Sequence, residues 1–173
     1  MLTNRIFLIG IMGSGKSYWA KRLGLHYGAP AFDTDHMIEE AAGQTIPEIF
    51  SGPKGQERFR EMERKLLQET HWPEAAIISC GGGLPCFHHN MDFMLKAGRV
   101  IWFNPPLVEI TRRLWKERDQ RPLVSSVESM GELASRINGL LHERKPFYER
   151  AHLAFDEIPE EGILIQRIDA LAR

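Results

Sequence analysis

Cysteine is scarce in this chain, and what there is has no cross-linking pattern. Of 173 residues only Cys80 and Cys86 carry a thiol. Two thiols are too few for a disulfide framework and, at this spacing, make no CxxC redox pair, so free thiols in a reducing compartment are expected. Long apolar runs are also lacking. No stretch approaches the ~20 apolar residues of a membrane-crossing helix, and the N-terminal run that ends at Gly10 is too short for a signal-peptide core with its cleavage site. An excess of one charge is lacking as well. The 22 basic and 23 acidic side chains leave a net charge of −1, which creates no field to recruit nucleic acid or an anionic membrane. A soluble, cytoplasmic protein without nucleic-acid or membrane partners is expected. The chain does have the 43% apolar and 26% charged content of an ordinary globule, in a length that suits one domain, 1–173.

Five short apolar runs recur along it: Arg5–Ile9, Ala31 and Phe32 leading into Asp33, 75–79, 99–103 and Leu153–Phe155. They are apolar throughout rather than alternating, as in parallel strands buried on both faces. Helical stretches lie between them. One covers 17–27 with Trp19, Leu23 and Tyr27 on one side; another covers 57–70 with Phe59, Met62 and Leu66 as its core stripe; a third starts at about Gly131 with Leu133, Ile137 and Leu140; and a last one covers 162–171. Strands alternating with helices predict an α/β layered sheet. Two segments break the rhythm. Residues 51–55 (SGPKG) are a turn into a helix, and 117–128, polar and interrupted by Pro122, read as a mobile loop in the place of a lid.

Residues 10–17 read GIMGSGKS. They fit GxxxxGK[ST] and stand between an apolar strand and a helix, the context that this motif requires. Gly10, Gly13, Ser14 and Gly15 let backbone N–H groups converge on phosphate oxygens, and the helix that follows adds its positive end. Lys16 reaches the outer phosphates and the Ser17 hydroxyl ligates Mg²⁺. A glycine-rich turn of no function accounts for the glycines but not for Lys16 and Ser17 at the required offset. An NKxD guanine-reading motif is missing, which favours ATP. Many P-loop proteins place an Asp at the end of a later apolar strand; here the 75–79 run ends in Cys80 and Gly81, so Asp33 is the candidate acid near the metal.

The downstream features are weak one by one. Asp33 and Asp35 share one side of an extended strand end, unless Asp35 is simply a helix N-cap. Arg60 and Glu63, three apart, can pair and so fix the guanidinium; a solvated charged face competes with that reading. Gly81, Gly82 and Gly83 follow a strand at its C-terminal end, where open α/β sheets bind ligands and a glycine backbone lets a ligand approach closely. Arg121 is a cation in the mobile loop, able to stabilise a transferring phosphoryl group or be an ordinary surface arginine. Arg144 continues the apolar stripe of its helix just before Pro146, which breaks or kinks that helix; a charge there needs a partner or a ligand unless it snorkels to solvent.

Together, residues 10–17, Asp33 with Asp35, Phe59 and Arg60 with Glu63, the three glycines, Arg121 with Pro122 and Leu123, and 144–148 (RKPFY) resemble the shikimate kinases in order and spacing, over nearly the whole chain. That resemblance implies a three-layer P-loop kinase fold: a five-stranded parallel sheet flanked by helices (core 1–32, 71–114 and 129–173), a helical shikimate-binding segment at about 33–70 and a lid at about 115–128. It implies transfer of the ATP γ-phosphoryl group to the 3-hydroxyl of shikimate in aromatic amino-acid biosynthesis, with Mg²⁺ as cofactor and a monomeric enzyme. Lys16, Asp35 and Arg121 are then catalytic, with Asp35 holding the accepting hydroxyl. Gly13, Ser14, Gly15, Lys16, Ser17, Tyr18, Arg113 and Arg121 bind ATP, with Arg113 on the adenine side. Asp35, Arg60, Gly81, Gly82, Gly83 and Arg144 bind shikimate, and Ser17 and Asp33 face the metal. Two departures stand out. Gln56 follows Gly55 where family members usually have Glu, and Tyr18 and Trp19 are bulkier than the small residues often found there, which narrows the nucleotide side. The rival readings are another small-molecule kinase, such as a gluconate or nucleoside-monophosphate kinase, and a non-catalytic binder that kept the fold.

Overall fold

In the computed structural model, which describes residues 2, 4–116 and 127–171, the first apolar run is strand β1 (Arg5–Ile9). Its side chains divide between two faces. Phe7 and Ile9 join one buried cluster and Ile6 and Leu8 another, as the two-residue period of a strand requires. β1 lies at the centre of the sheet because both of its faces are apolar. Strands β2 (Ala31–Asp33), β3 (Ala76–Ser79), β4 (Gly98–Phe103) and β5 (Leu153–Phe155) complete it. All the pairings are parallel, in the order β2-β3-β1-β4-β5.

Helices cover both faces, which gives the three expected layers. On one face Leu67 of α4 (Gly55–Glu69), Met91 and Met94 of α5 (Asn90–Ala97) and Tyr148 of α7 (Met130–Tyr148) pack on Phe7, Ile9, Ile78 and Val100. On the other, Trp19, Ala20 and Leu23 of α1 (Lys16–Tyr27) and Leu164 and Ile168 of α8 (Glu161–Leu171) pack on Ile6, Leu8, Ile77 and Ile101. Two satellite clusters extend this core. Ile110 and Leu114 of α6 (Leu107–Lys116) meet Leu133 and Ile137 of α7. Ile38 of α2 (Thr34–Ala42), Ile49 of α3 (Ile46–Ser51) and Phe59 of α4 form the other. No helix among the described residues is long and apolar enough to cross a membrane. Both cysteines are free thiols; burial pushes Cys86 up to about 11 and Cys80 further still.

Four expectations change. The backbone after β2 turns at once into α2, so Asp33 and Asp35 do not share an extended strand. Asp33 is the N-cap, its carboxylate accepting from the N–H groups of Asp35 and His36, and Asp35 lies in the first turn. The stripe of α4 is rotated by one position: Phe59, Glu63 and Leu67 are buried while Met62 and Leu66 are only partly so. Steps of three and four residues both continue a helical stripe, and the neighbouring elements chose between them. The turn expected at 51–55 is shortened to 52–54, because a short helix not expected from the sequence, α3, precedes it and ends on Ser51; Thr45 and Glu48 form its capping box. Pro146 does not end α7, which runs on to Tyr148. Pro146 and His142, whose carbonyl loses its usual helical donor, are both exposed, so that carbonyl is open to solvent and the lost bond is cheap. The lid expected at about 115–128 falls mostly on 117–126, outside the described residues, and Arg121 with it.

Candidate active site

The carboxyl ends of β1, β2 and β3 open into one cavity of about 500 Å³, the edge of a parallel sheet where ligands bind. The turn after β1 is wound by glycines: Gly13 and Gly15 sit at φ of 77° and 96°, conformations that L side chains rarely adopt. Lys16 follows at the start of α1. The residue is 8% exposed, and its ammonium donates to the carbonyls of Gly10 at 2.8 Å and Ile11 at 2.9 Å, bent back over its own loop. Phosphate oxygens in the cradle would compete for the same donor. Ser14 Oγ is buried without a partner, and Arg113 reaches across from α6 to donate to the Gly13 carbonyl at 3.2 Å.

The Ser17 hydroxyl donates to Asp33 at 2.7 Å, and the Ser79 hydroxyl lies 3.3 Å away. Asp33 therefore serves twice, capping α2 with one oxygen and holding Ser17 with the other. A hydroxyl and a carboxylate side by side at a phosphate cradle are hard oxygen donors that fit Mg²⁺. Ser79 occupies the strand end where an acid was sought in the sequence and not found.

Gly81, Gly82 and Gly83 form the floor of the acceptor side, and each leaves room for charged side chains. A Cβ on Gly81 would collide with the Asp35 carboxylate and lie 3.2 Å from Glu63 Oε1. One on Gly82 would lie 3.2 Å from Arg144 Nη1, and one on Gly83 would be 2.6 Å from Arg60 Nη1. The turn is pinned from outside: the Gly81 N–H donates to Thr34 Oγ1 at 2.8 Å, and Tyr148 donates its hydroxyl to the Gly82 carbonyl at 2.5 Å. Thr34, Ser79 and Tyr148 were not picked out in the sequence as site residues. Thr34 had a signal, a polar residue between two acids, and Tyr148 is the last letter of the RKPFY run.

Arg60 donates to Glu63 at 2.6 Å, their side chains 12% and 1% exposed. The expected pair exists, but it is buried rather than on a solvated face. Burial raises the Glu63 carboxyl to about 7 despite Arg60, with Asp35 adding to the rise and Arg144 opposing it. Burial likewise raises Asp35 to about 6; the negative charge of Asp33 adds to this, and Lys16 and Arg60 pull the other way. These groups feel one another across the Gly81–Gly83 turn. Gln56 is exposed in the first turn of α4, apart from that pair; Glu57 supplies the acid that favours the start of the helix. Trp19 turns inward and stacks on Phe103, so its bulk goes largely to the core, while Tyr18 stands 57% exposed at the cavity rim.

The described residues thus bring together every site residue expected from the sequence except Arg121. A family model described as shikimate kinase matches residues 12–167. A shikimate kinase of Bacteroides thetaiotaomicron is 37% identical over 172 residues, 96% of this chain and 97% of that protein. One of Parabacteroides distasonis is 38% identical over 152 residues, 88% of this chain and 87% of that protein. A crystal structure of the Bacteroides thetaiotaomicron shikimate kinase superposes with a TM-score of 0.85 over 98% of both chains at 36% identity. That of an Acinetobacter baumannii shikimate kinase in complex with shikimate does so with 0.84 at 30% identity, over 98% of this chain and 92% of the other.

Proposed function

The chain belongs to the shikimate kinase family, and from that premise we propose that it transfers the γ-phosphoryl group of ATP to the 3-hydroxyl of shikimate through the residues around its Gly81–Gly83 turn. The products are shikimate 3-phosphate and ADP, on the route to aromatic amino acids. The observation that carries the residue assignment is the convergence of Asp35, Arg60 and Arg144 on three consecutive glycines beside the phosphate loop. A small anionic polyol needs a planar cation for its carboxylate, and Arg60 and Arg144 supply two. It also needs its reactive hydroxyl held in line with the γ-phosphorus, because phosphoryl transfer depends mainly on positioning and charge stabilisation. Asp35 is the acid that receives that hydroxyl and its proton.

The N–H groups of Gly13, Ser14, Gly15, Lys16 and Ser17 hold the phosphates in this reading. Lys16 exchanges its carbonyl partners for phosphate oxygens, and Tyr18 and Arg113 line the nucleoside side. Ser17 and Asp33 hold Mg²⁺, which neutralises charge on the phosphates when bound. Arg121, the shikimate-binding segment at about 33–70 and the monomeric state are assigned on the resemblance; the lid at about 115–128 rests on it together with the polar, Pro122-interrupted sequence, and the cytoplasmic location is the expectation from composition.

A coupled assay for ADP release tests the proposal, with MgATP and, in turn, shikimate, gluconate and nucleoside monophosphates, each with and without excess EDTA. Turnover is expected with shikimate alone and is lost in EDTA. Turnover of gluconate or a nucleotide without shikimate would overturn the acceptor, tight binding of shikimate and ATP without turnover would favour a binder, and full activity in EDTA would remove the ion. Gly81→Ala probes the turn itself. Its methyl group forces the Asp35 carboxylate aside, so kcat/KM for shikimate is expected to fall by about 10- to 100-fold with MgADP affinity kept. A near-wild-type kcat/KM would mean that Asp35 need not sit against this turn.

A further inference from the structure

Arg60 is held in a way that leaves part of it unused. Nη1 goes to Glu63. The guanidinium also lies over the ring of Phe87, 4.3 Å from the centroid, with the Phe59 ring further off at 5.4 Å. Nε is buried and has no hydrogen-bond partner. A guanidinium has five donors in its plane and a π face above it. Contact with an aromatic ring engages the face and occupies no donor. It sets the plane while leaving the donor edge for a planar, bidentate acceptor such as a carboxylate.

The ring is itself fixed to the helix that carries Arg60. Phe87 follows a single 3₁₀ turn at Leu84–Cys86. The N–H of Asn90 donates to the Phe87 carbonyl at 2.9 Å, and the fully buried Asn90 side chain donates to the Leu84 carbonyl at 3.0 Å. Gln68, two helical turns beyond Arg60 on α4, donates to Asn90 Oδ1 at 2.9 Å and to the His88 carbonyl at 3.1 Å. Arg60 and Phe87 are therefore anchored to one rigid unit, with Gly83 leaving space for the guanidinium.

We propose that Phe87 is a positioning residue for recognition of the acceptor's carboxylate: by fixing the plane of the Arg60 guanidinium it aims the unpaired donor edge at that group. The role rests on the assignment of Arg60 to the carboxylate made above. The test compares Phe87→Leu with Phe87→Tyr by KM for shikimate, KM for ATP, and the ratio of kcat/KM for shikimate over its methyl ester, which lacks the anion. Phe87→Leu is expected to raise KM for shikimate roughly 5- to 10-fold, to leave KM for ATP within about 2-fold, and to lower the acid-to-ester ratio. Phe87→Tyr, which keeps the π face, restores all three. Phe87→Met replaces the leucine variant if that does not fold. An unchanged KM for shikimate, equal rises for both substrates, or an unchanged acid-to-ester ratio would each overturn the role. Arg60→Ala separates the two levels. If it leaves KM for shikimate intact, the assignment of Arg60 itself fails; if it is strongly defective while Phe87→Leu is silent, only the positioning role fails.

Discussion

Asp35→Asn is expected to lower kcat by about 10²- to 10⁴-fold, the range associated with losing a positioned general base, and at the same time to make the protein more stable at about pH 8. Both effects come from one cause. Asp35 sits partly buried beside Asp33, so its carboxyl is raised from 3.8 to about 6. The folded chain therefore holds a proton that the unfolded chain has released between about pH 4 and pH 6. Stability falls as pH rises through that window, and above it the whole cost of ionising a desolvated acid is carried. The amide has no such cost. With partial exposure discounted, the gain is on the order of 1–2 kcal/mol, or a Tm rise of roughly 2–8 °C for a chain of this length. The wild-type kcat/KM profile should have an acid limb near pH 6 from the same group. Thermal unfolding at about pH 8 and at about pH 4 checks the assignment. The stabilisation should be large at the first and small at the second, and a variant less stable than wild type at about pH 8 would show that Asp35 serves the fold rather than the chemistry.

Arg144→Ala is expected to raise KM for shikimate by about 30- to 150-fold and leave KM for ATP nearly unchanged. Losing a charge-assisted contact to a carboxylate costs about 2–3 kcal/mol, and about 1.4 kcal/mol is tenfold in affinity. The side chain lies next to Gly82, where the acceptor side adjoins the phosphate loop, but its assigned contact is to the acceptor's carboxylate, so the loss should be confined to one substrate. Arg144→Lys keeps the charge but not the fork, and should recover only part of it. Parallel titration of both substrates is the measurement. An equal rise in both KM values would mean that Arg144 supports the helix or the turn instead of the acceptor.

The parts of this protein that were legible in its sequence are those with local causes. A strand buried on both faces must be apolar at every position, and the five runs were visible for that reason. The phosphate loop was visible because backbone N–H groups can converge on phosphate only where glycines allow it, and because Lys16 and Ser17 have to stand at fixed offsets after them. The charge of Arg144 on an apolar stripe announced itself in the same way, by conflict with its neighbours along one helix.

Tertiary structure alone decided the rest. Phe59, Met62 and Leu66 read as the stripe of α4, yet packing against α2, α3 and the sheet buries Phe59, Glu63 and Leu67, and so turns an apparently solvated acid into the partner that holds Arg60. Asp33 rather than Asp35 became the cap because the chain bends directly at the end of β2. Ser79, Thr34, Tyr148 and Phe87 took part only once β2, β3, α4 and α7 had come together around three glycines. Propensity and motif spacing act within a few residues of chain, so by itself the sequence determined which elements form and where the phosphates go. Desolvation and contact between residues far apart in sequence depend on how those elements pack, and they decided which charges face one another and which of them are buried.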